Sequence, residues 1–164
     1  MTVSRLIARP MLASIFVVGA ATALKSTGGP AAKADPVTSR LVPLARKAGV
    51  PLPEDPETLV RINAGVQIGA ALALATGRVP RLSAAVLAAS LVPTTAAGHR
   101  FWEEDDAATR TQQRLHFFKN VSLVGGLIIA AGDTEGRPGV VWRTRHAAKD
   151  ARREAKLLKA KVTP

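Results

Sequence analysis

Four stretches of the chain contain no charged side chain, and they constrain the fold more than any other feature. They cover residues 10–24, 62–77, 82–99 and 120–132, so all 35 charged residues, 23 basic and 12 acidic, lie outside them. A long helix in water keeps a charged face toward the solvent, whereas a helix in hydrocarbon avoids charge along its whole length. The pattern therefore predicts an integral membrane protein with four spans.

Length and composition favour an all-α membrane four-helix bundle. Four helices and their connections use most of the 164 residues. No run alternates apolar and polar residues as a half-buried strand would. Cysteine is absent, so the chain itself forms no disulfide and holds no iron–sulfur cluster through thiolates. Any redox chemistry would therefore need a bound cofactor or a partner.

The chain is predicted to divide into a membrane domain, residues 1–133, and a basic tail, residues 134–164. The second span begins at Asp55-Pro56-Glu57, because this run supplies an N-cap, a proline at the first helical position and an acidic first turn. The fourth helix is expected to start outside the bilayer, near Asp106. The predicted spans are about 6–23, 57–76, 82–98 and 115–132.

The third span is expected to kink at Pro93, because proline removes one backbone hydrogen bond. Thr94 and Thr95 beside it could satisfy the freed backbone groups or line a polar gap. Small residues allow helices to approach closely, so we expect helix packing at four glycines. These are Gly65, Gly69, Gly125 and Gly126.

The N-terminus imitates a secretory signal. Arg5 and Arg9 precede an apolar run that ends in Ala21-Thr22-Ala23, which resembles a cleavage site. Three further uncharged runs follow, which favours retention of the first run as a span. Cleavage of this segment is the alternative.

The connection at residues 26–56 is rich in proline and is predicted to lie outside. Its prolines argue against one continuous helix. Between Pro36 and Gly49, apolar residues oppose Arg40, Arg46 and Lys47, which indicates short amphipathic helices at the membrane interface. A packed extramembrane loop is the alternative.

The distribution of Lys and Arg predicts the orientation. Four spans place both termini on one side, and the basic tail, Arg5, Arg9, Arg78 and Arg81 favour the cytoplasm for that side. The loops at 26–57 and 100–114 then face outward. Lys and Arg are not confined to the cytoplasmic side, since the first outer loop also carries cations.

Polar side chains at the outer ends of three spans form the candidate site. Intramembrane polar groups are costly and often functional. A shared pocket would let imidazole and ammonium groups bind the carbonyl oxygens of a quinone or donate protons to it. Alternatively, Arg61 and Lys119 pair with nearby carboxylates and only tie helix ends together. The polar residues of the spans, most of which lie near this one face, are Arg61, Asn63, Gln67, His99, Arg100, His116, Lys119, Asn120 and Asp133.

A haem between the third and fourth helices is a further alternative, with His99 and His116 as axial ligands. Two histidines without other cues are a weak signal, so we expect neither haem nor a metal site.

The tail is strongly basic, with nine Lys or Arg and three acidic residues in 134–164. Such a segment beside a span is attracted to anionic lipid headgroups. Nucleic acid is not expected as a partner, because no recognition motif or interleaved aromatic residues accompany the charge.

Several motifs together resemble the DoxX family, in an actinobacterial form. They extend from Arg9 to about Trp142, and their combination is specific although each motif alone is weak. Arg100 departs from the small residue or proline expected after the histidine. The motifs are Arg61-Ile62-Asn63-Ala64-Gly65, Ala75-Thr76-Gly77-Arg78-Val79-Pro80-Arg81, Pro93-Thr94-Thr95, Gly98-His99-Arg100-Phe101-Trp102-Glu103, His116-Phe117-Phe118-Lys119-Asn120 and Leu123-Val124-Gly125-Gly126-Leu127 with Asp133.

The resemblance implies a small multi-pass protein of the bacterial inner membrane with redox-linked relatives, some of them oxidoreductase subunits and others partners of oxidative-stress enzymes. The first hypothesis is a redox-associated component that binds a quinone near the outer face. A second is a non-catalytic scaffold that recruits detoxification enzymes through its tail, and a third is a small transporter. The residues implied for the quinone pocket are Arg61, Asn63, His99, Trp102, His116, Lys119 and Asn120, with Glu103 at a further matching position.

Overall fold

The structure, a computed structural model, describes residues 3–134, 136 and 140–162, and the side chains of 140, 141 and 156–162 are not described. Helices account for nearly all of this part of the chain, and it contains no strand. They are α1 (Val3–Lys25), α2 (Gly28–Lys47), α3 (Pro56–Thr76), α4 (Pro80–Gly98), a one-turn 3₁₀ helix (Phe101–Glu103), α5 (Ala107–Gly132) and α6 (Val140–Val162).

The predicted all-α membrane bundle is confirmed. Helices α1 and α3, α4 together with its 3₁₀ turn, and α5 are each long and apolar enough to cross a membrane. The chain divides into two compact units, Met1–Gly132 and Asp133–Pro164. The first contains α1 to α5, and the second contains α6.

The predicted start of α3 at Asp55-Pro56-Glu57 is also confirmed. The Asp55 carboxylate accepts a hydrogen bond from the backbone N–H of Thr58 at 2.8 Å, and Pro56 occupies the first helical position. Hydrogen bonds from Thr58 lower the pKa of Asp55 below its usual value. At the other end, Gly77 adopts a left-handed conformation with φ of 69°, which closes the helix without steric strain.

The prediction of several short helices between Pro36 and Gly49 was wrong, because α2 is one helix of 20 residues with Pro36 and Pro43 inside it. Each internal proline removes a backbone hydrogen bond, so packing must offset the loss. Helix α2 packs against α3 and α4 and buries Ala31 and Val42. The Thr27 hydroxyl donates to the Glu57 carboxylate at 3.1 Å, which ties the start of α2 to α3.

The apolar core lies in the half of the bundle farther from α2. Helix α1 packs mainly against α3, and α4 packs against α3 and α5. The side chains of Leu74, Leu87 and Leu127 are fully buried at these contacts. This half is therefore filled by apolar side chains.

The expectation for the glycines needs correction, whereas of the two alternatives for the threonines beside Pro93 the structure supports the second, since Thr94 lines a cavity. Of the four glycines expected to pack, only Gly126 faces another helix, with Leu12 Cδ1 at 3.7 Å from a Cβ built there, and the other three face open space. Near Pro93, the hydroxyls of Thr94 and Thr95 donate to the carbonyls of Ser90 and Leu91. Neither hydroxyl satisfies the carbonyl of Ala89, which Pro93 leaves without its helical donor.

Candidate ligand cavity

A cavity of about 650 Å³ lies in the half of the bundle nearer α2. All five helices of the first unit line it, and most of its wall is apolar, including Ile15 and Phe16 of α1 and Val37 and Leu41 of α2. Its volume falls within the range of pockets that hold small organic molecules, roughly 300–1,000 Å³. A few polar groups interrupt the apolar wall.

Three carboxamides of α3 and α5 form a belt of hydrogen bonds with α4, and all three line the cavity. Each NH₂ group donates to a hydroxyl on the α4 segment around Pro93. The pairs are Asn63 to Thr94 (3.4 Å), Gln67 to Ser90 (2.7 Å) and Asn120 to Thr95 (3.0 Å). The belt therefore joins three helices within about one helical turn of depth.

The carboxamides of this belt keep their carbonyl oxygens available. Gln67 and Asn120 are buried residues, yet no donor among the described residues bonds their side-chain oxygens. No buried side-chain nitrogen or oxygen in the described part of the chain lacks a partner, so these two oxygens are not sealed inside the protein. Since both residues line the cavity, they supply acceptors for a ligand hydroxyl.

His99 and Lys119 add nitrogen groups to the same cavity. Nδ1 of His99 donates to Oε1 of Gln113 at 2.7 Å, because an amide oxygen can only accept. Nε2 of a neutral His99 ring is therefore an acceptor. Lys119 Nζ donates to Nδ1 of His116 at 3.3 Å. An ammonium carries three donors, so two remain for a ligand.

The cavity contains four of the seven predicted site residues: Asn63, His99, Lys119 and Asn120. His116 lies behind this wall, where its ring stacks on His99 with centroids 5.2 Å apart. Arg61 instead pairs with Glu57 at 3.3 Å, as the alternative of a local ion pair predicted. Trp102 is exposed and packs edge-on against Phe101 and Phe117, so it lies outside the cavity wall.

Lys119, unlike Arg61, does not form the local ion pair that the alternative predicted. Within the described residues, no carboxylate lies at ion-pair distance from Lys119 Nζ, and its recorded polar partner is His116. Glu103, one of the nearby carboxylates, pairs instead with Arg100 at 2.9 Å. Lys119 is therefore available to a ligand in the cavity, whose wall also contains the ammonium of Lys33 from α2.

Gln67 and Ser90 form the central pair of the belt. Gln67 was among the polar residues singled out in the spans but not among those predicted for the pocket, and Ser90 was in neither group. Gln67 follows Asn63 by four residues, and helical periodicity puts such residues on one face. That spacing was a usable signal. Nothing in the sequence pointed to Ser90, whose role depends on how α3 faces α4.

The two histidines do not fit axial ligation of a haem. Their rings are nearly parallel, 26° apart and face to face, whereas axial ligands direct nitrogens at an iron held between them. In the described part of the chain, no group of three His, Asp or Glu residues is arranged to hold a metal ion.

The fold and the cavity define a multi-pass, all-helical membrane protein with a pocket among its spans. The family model for DoxX matches residues 4–100, more than half of the chain. The chain belongs to the DoxX family. No curated protein and no solved structure matches it. The family match covers Asn63, Gln67 and His99, while Lys119 and Asn120 lie beyond it.

Proposed function

We propose that this DoxX-family protein binds a lipid-soluble quinone or the corresponding quinol in the cavity near α2, as a redox-associated membrane component. The observation that carries the proposal is the composition of the wall, in which an apolar cavity of about 650 Å³ holds both strong donors and free acceptors. A quinone ring is apolar on its faces and polar only at its oxygens. This wall matches such a molecule better than it matches an ion or a sugar.

The polar groups of the cavity suit both redox forms of such a ligand. Lys119 can donate to a quinone carbonyl oxygen through a charge-assisted hydrogen bond. The oxygens of Gln67 and Asn120, together with Nε2 of His99, can accept from quinol hydroxyls. These groups bind and orient the ligand, and His99 can also take up a proton from a hydroxyl.

The apolar part of the wall suits the tail of a membrane quinone. Gly19 of α1 is exposed on the bundle surface and also lines the cavity, so it lies at an opening between the two. A Cβ built on Gly19 meets no atom within 4 Å. A ligand that enters from the bilayer can therefore pass α1 here and leave its tail in lipid.

We further propose that the cavity faces the outer side of a bacterial inner membrane, with both termini in the cytoplasm. The nine Lys or Arg of the tail, residues 134–164, support this orientation, because cytoplasmic segments next to a span are enriched in these residues. Labelling of single-cysteine variants is possible because the natural chain contains none. Cysteines placed in residues 48–54 should react with an impermeant reagent in intact cells, and reaction only after lysis would contradict the orientation.

The binding proposal is tested by blocking the opening. The protein and a Gly19→Leu variant are purified in mild detergent, retained quinone is extracted and quantified per chain, and a short-tailed quinone is then titrated. We expect the natural chain to retain and bind quinone and Gly19→Leu to lose at least tenfold in affinity, because leucine would fill the opening.

Gly69→Leu is the matched control. Gly69 lies in the middle of α3, is exposed, also has open space around a built Cβ, and does not line the cavity. It should therefore retain quinone like the natural chain. Absence of quinone from the natural protein, together with no saturable binding in the titration, would refute the proposal and favour a scaffold without a ligand.

A further inference from the structure

Helix α6 separates its charges onto different faces. The segment Val140–Val162 holds eight basic and two acidic residues. Arg145, Lys149, Arg152 and Arg153 follow one another at spacings of four, three and one, which places them on one side of a helix. Asp150 and Glu154 project from other sides. All six side chains are exposed in the structure.

Trp142 belongs to the same side, three residues before Arg145 and seven before Lys149. Its ring stacks on His146 with centroids 3.5 Å apart, and Nδ1 of His146 donates to the Trp142 carbonyl at 3.1 Å. These contacts hold the indole against the helix while half of its surface stays exposed. We define the basic face of α6 as Trp142, Arg145, Lys149, Arg152 and Arg153.

Small side chains form another side of α6 within its described residues. It carries Ala147, Ala148, Ala151 and Ala155, all exposed. Alanine provides little apolar area for insertion among acyl chains, whereas surface-inserting helices use larger apolar residues. Among the described side chains, the distinctive surface of this helix is therefore its charge and its tryptophan.

We propose that the basic face of α6 docks on anionic phospholipid headgroups of the membrane that the first unit spans. Charge complementarity identifies the partner, since four clustered cations meet a surface of anionic phosphates and the indole is a side chain that favours the membrane–water interface. Covalent connection supplies proximity. Only eight residue steps separate Gly132, the end of α5, from Val140, and they span at most about 30 Å.

The test uses the full chain in lipid nanodiscs. The protein contains two tryptophans, so Trp102→Phe leaves Trp142 as the only indole. Its emission and its quenching by aqueous acrylamide and by brominated lipids are compared in phosphatidylcholine discs and in discs with added phosphatidylglycerol. We expect lipid quenching and acrylamide protection only in the anionic discs, and loss of both at high salt because the attraction is screened.

Arg145→Gln and Arg143→Gln form a matched pair for the face. Both remove one positive charge, but positions two apart point to nearly opposite sides of a helix, so only Arg145 lies on the basic face. Arg145→Gln should lower the docked-to-free ratio about fivefold, the usual contribution of one cation near an anionic surface. Arg143→Gln should change it less than about twofold.

Two results would overturn the proposal. Equal effects of the two variants would show that net charge alone, and not this face, attracts the tail. A Trp142 that stays open to acrylamide in anionic discs, while the tail binds an acidic protein, would assign the basic face to a protein partner. The assay does not involve the cavity, so its outcome is independent of the quinone titration.

Discussion

Replacement of Lys119 by methionine should weaken quinone binding without unfolding the bundle. Lys119 Nζ has two donors left after its bond to His116 Nδ1. A hydrogen bond from a charged group contributes roughly 1.5–3 kcal/mol when its partner is removed. Lys119 is exposed at the rim of the cavity, so solvent and headgroups screen it and the lower value applies. About 1.5 kcal/mol corresponds to about a tenfold increase in Kd.

Arg61→Met is the control for that prediction. Arg61 is a cation at the same end of the bundle, but it pairs with Glu57 and does not line the cavity. Titration of a short-tailed quinone in detergent should give a Kd within about twofold of the natural value for Arg61→Met. Equal weakening in both variants would refute a direct contact between Lys119 and the ligand, because it would show a general effect of positive charge near the site.

Two further predictions concern stability. A double-mutant cycle of Asn120→Ala and Thr95→Val, measured by unfolding in a denaturing detergent, should give a coupling energy of about 0.6 kcal/mol and at most about 1.7 kcal/mol, typical of hydrogen bonds between membrane helices. A coupling energy near zero would show that this hydrogen bond does not stabilise the contact between α4 and α5. Hydrogen bonds from Thr58 and Thr109 lower the pKa of Asp55 and Asp106 respectively. The two carboxylates therefore stabilise the folded state above about pH 4, the pKa in the unfolded chain, and this stabilisation is lost as the pH falls through the lower pKa of the folded state. As the pH falls below about 4, the unfolding temperature of an Asp55→Ala variant should therefore fall less than that of the natural chain. Identical dependence of the two unfolding temperatures on pH would contradict this reasoning.

The membrane fold was predictable because it depends on patterns that are local along the chain. An uncharged run of span length excludes a solvated helix whatever its neighbours are. The capping run Asp55-Pro56-Glu57 likewise determines where α3 begins, because all of its bonds are made within one turn. Resemblance to DoxX added the family, which the match over residues 4–100 confirms. The narrower assignment to an actinobacterial form stays a prediction.

The candidate site could be predicted only in part, because its members come from separate helices. Asn63, His99, Lys119 and Asn120 were identifiable as polar residues near the ends of spans, and the cavity contains them. The same rule also selected Arg61 and Trp102, which lie outside the cavity wall. Depth along a helix follows from the sequence, but the direction of a side chain around the bundle depends on how each helix is rotated against its neighbours.

The sequence by itself determined the four membrane-crossing segments, the start of α3 and the basic character of the tail, because charge cost in hydrocarbon and capping act within one helix. The tertiary structure alone decided that α2 is continuous through Pro36 and Pro43, since packing against α3 and α4 offsets the missing backbone bonds. It also decided that Gln67 meets Ser90 and that a cavity remains beside this pair. Both depend on the spacing and rotation of helices, which no single segment encodes.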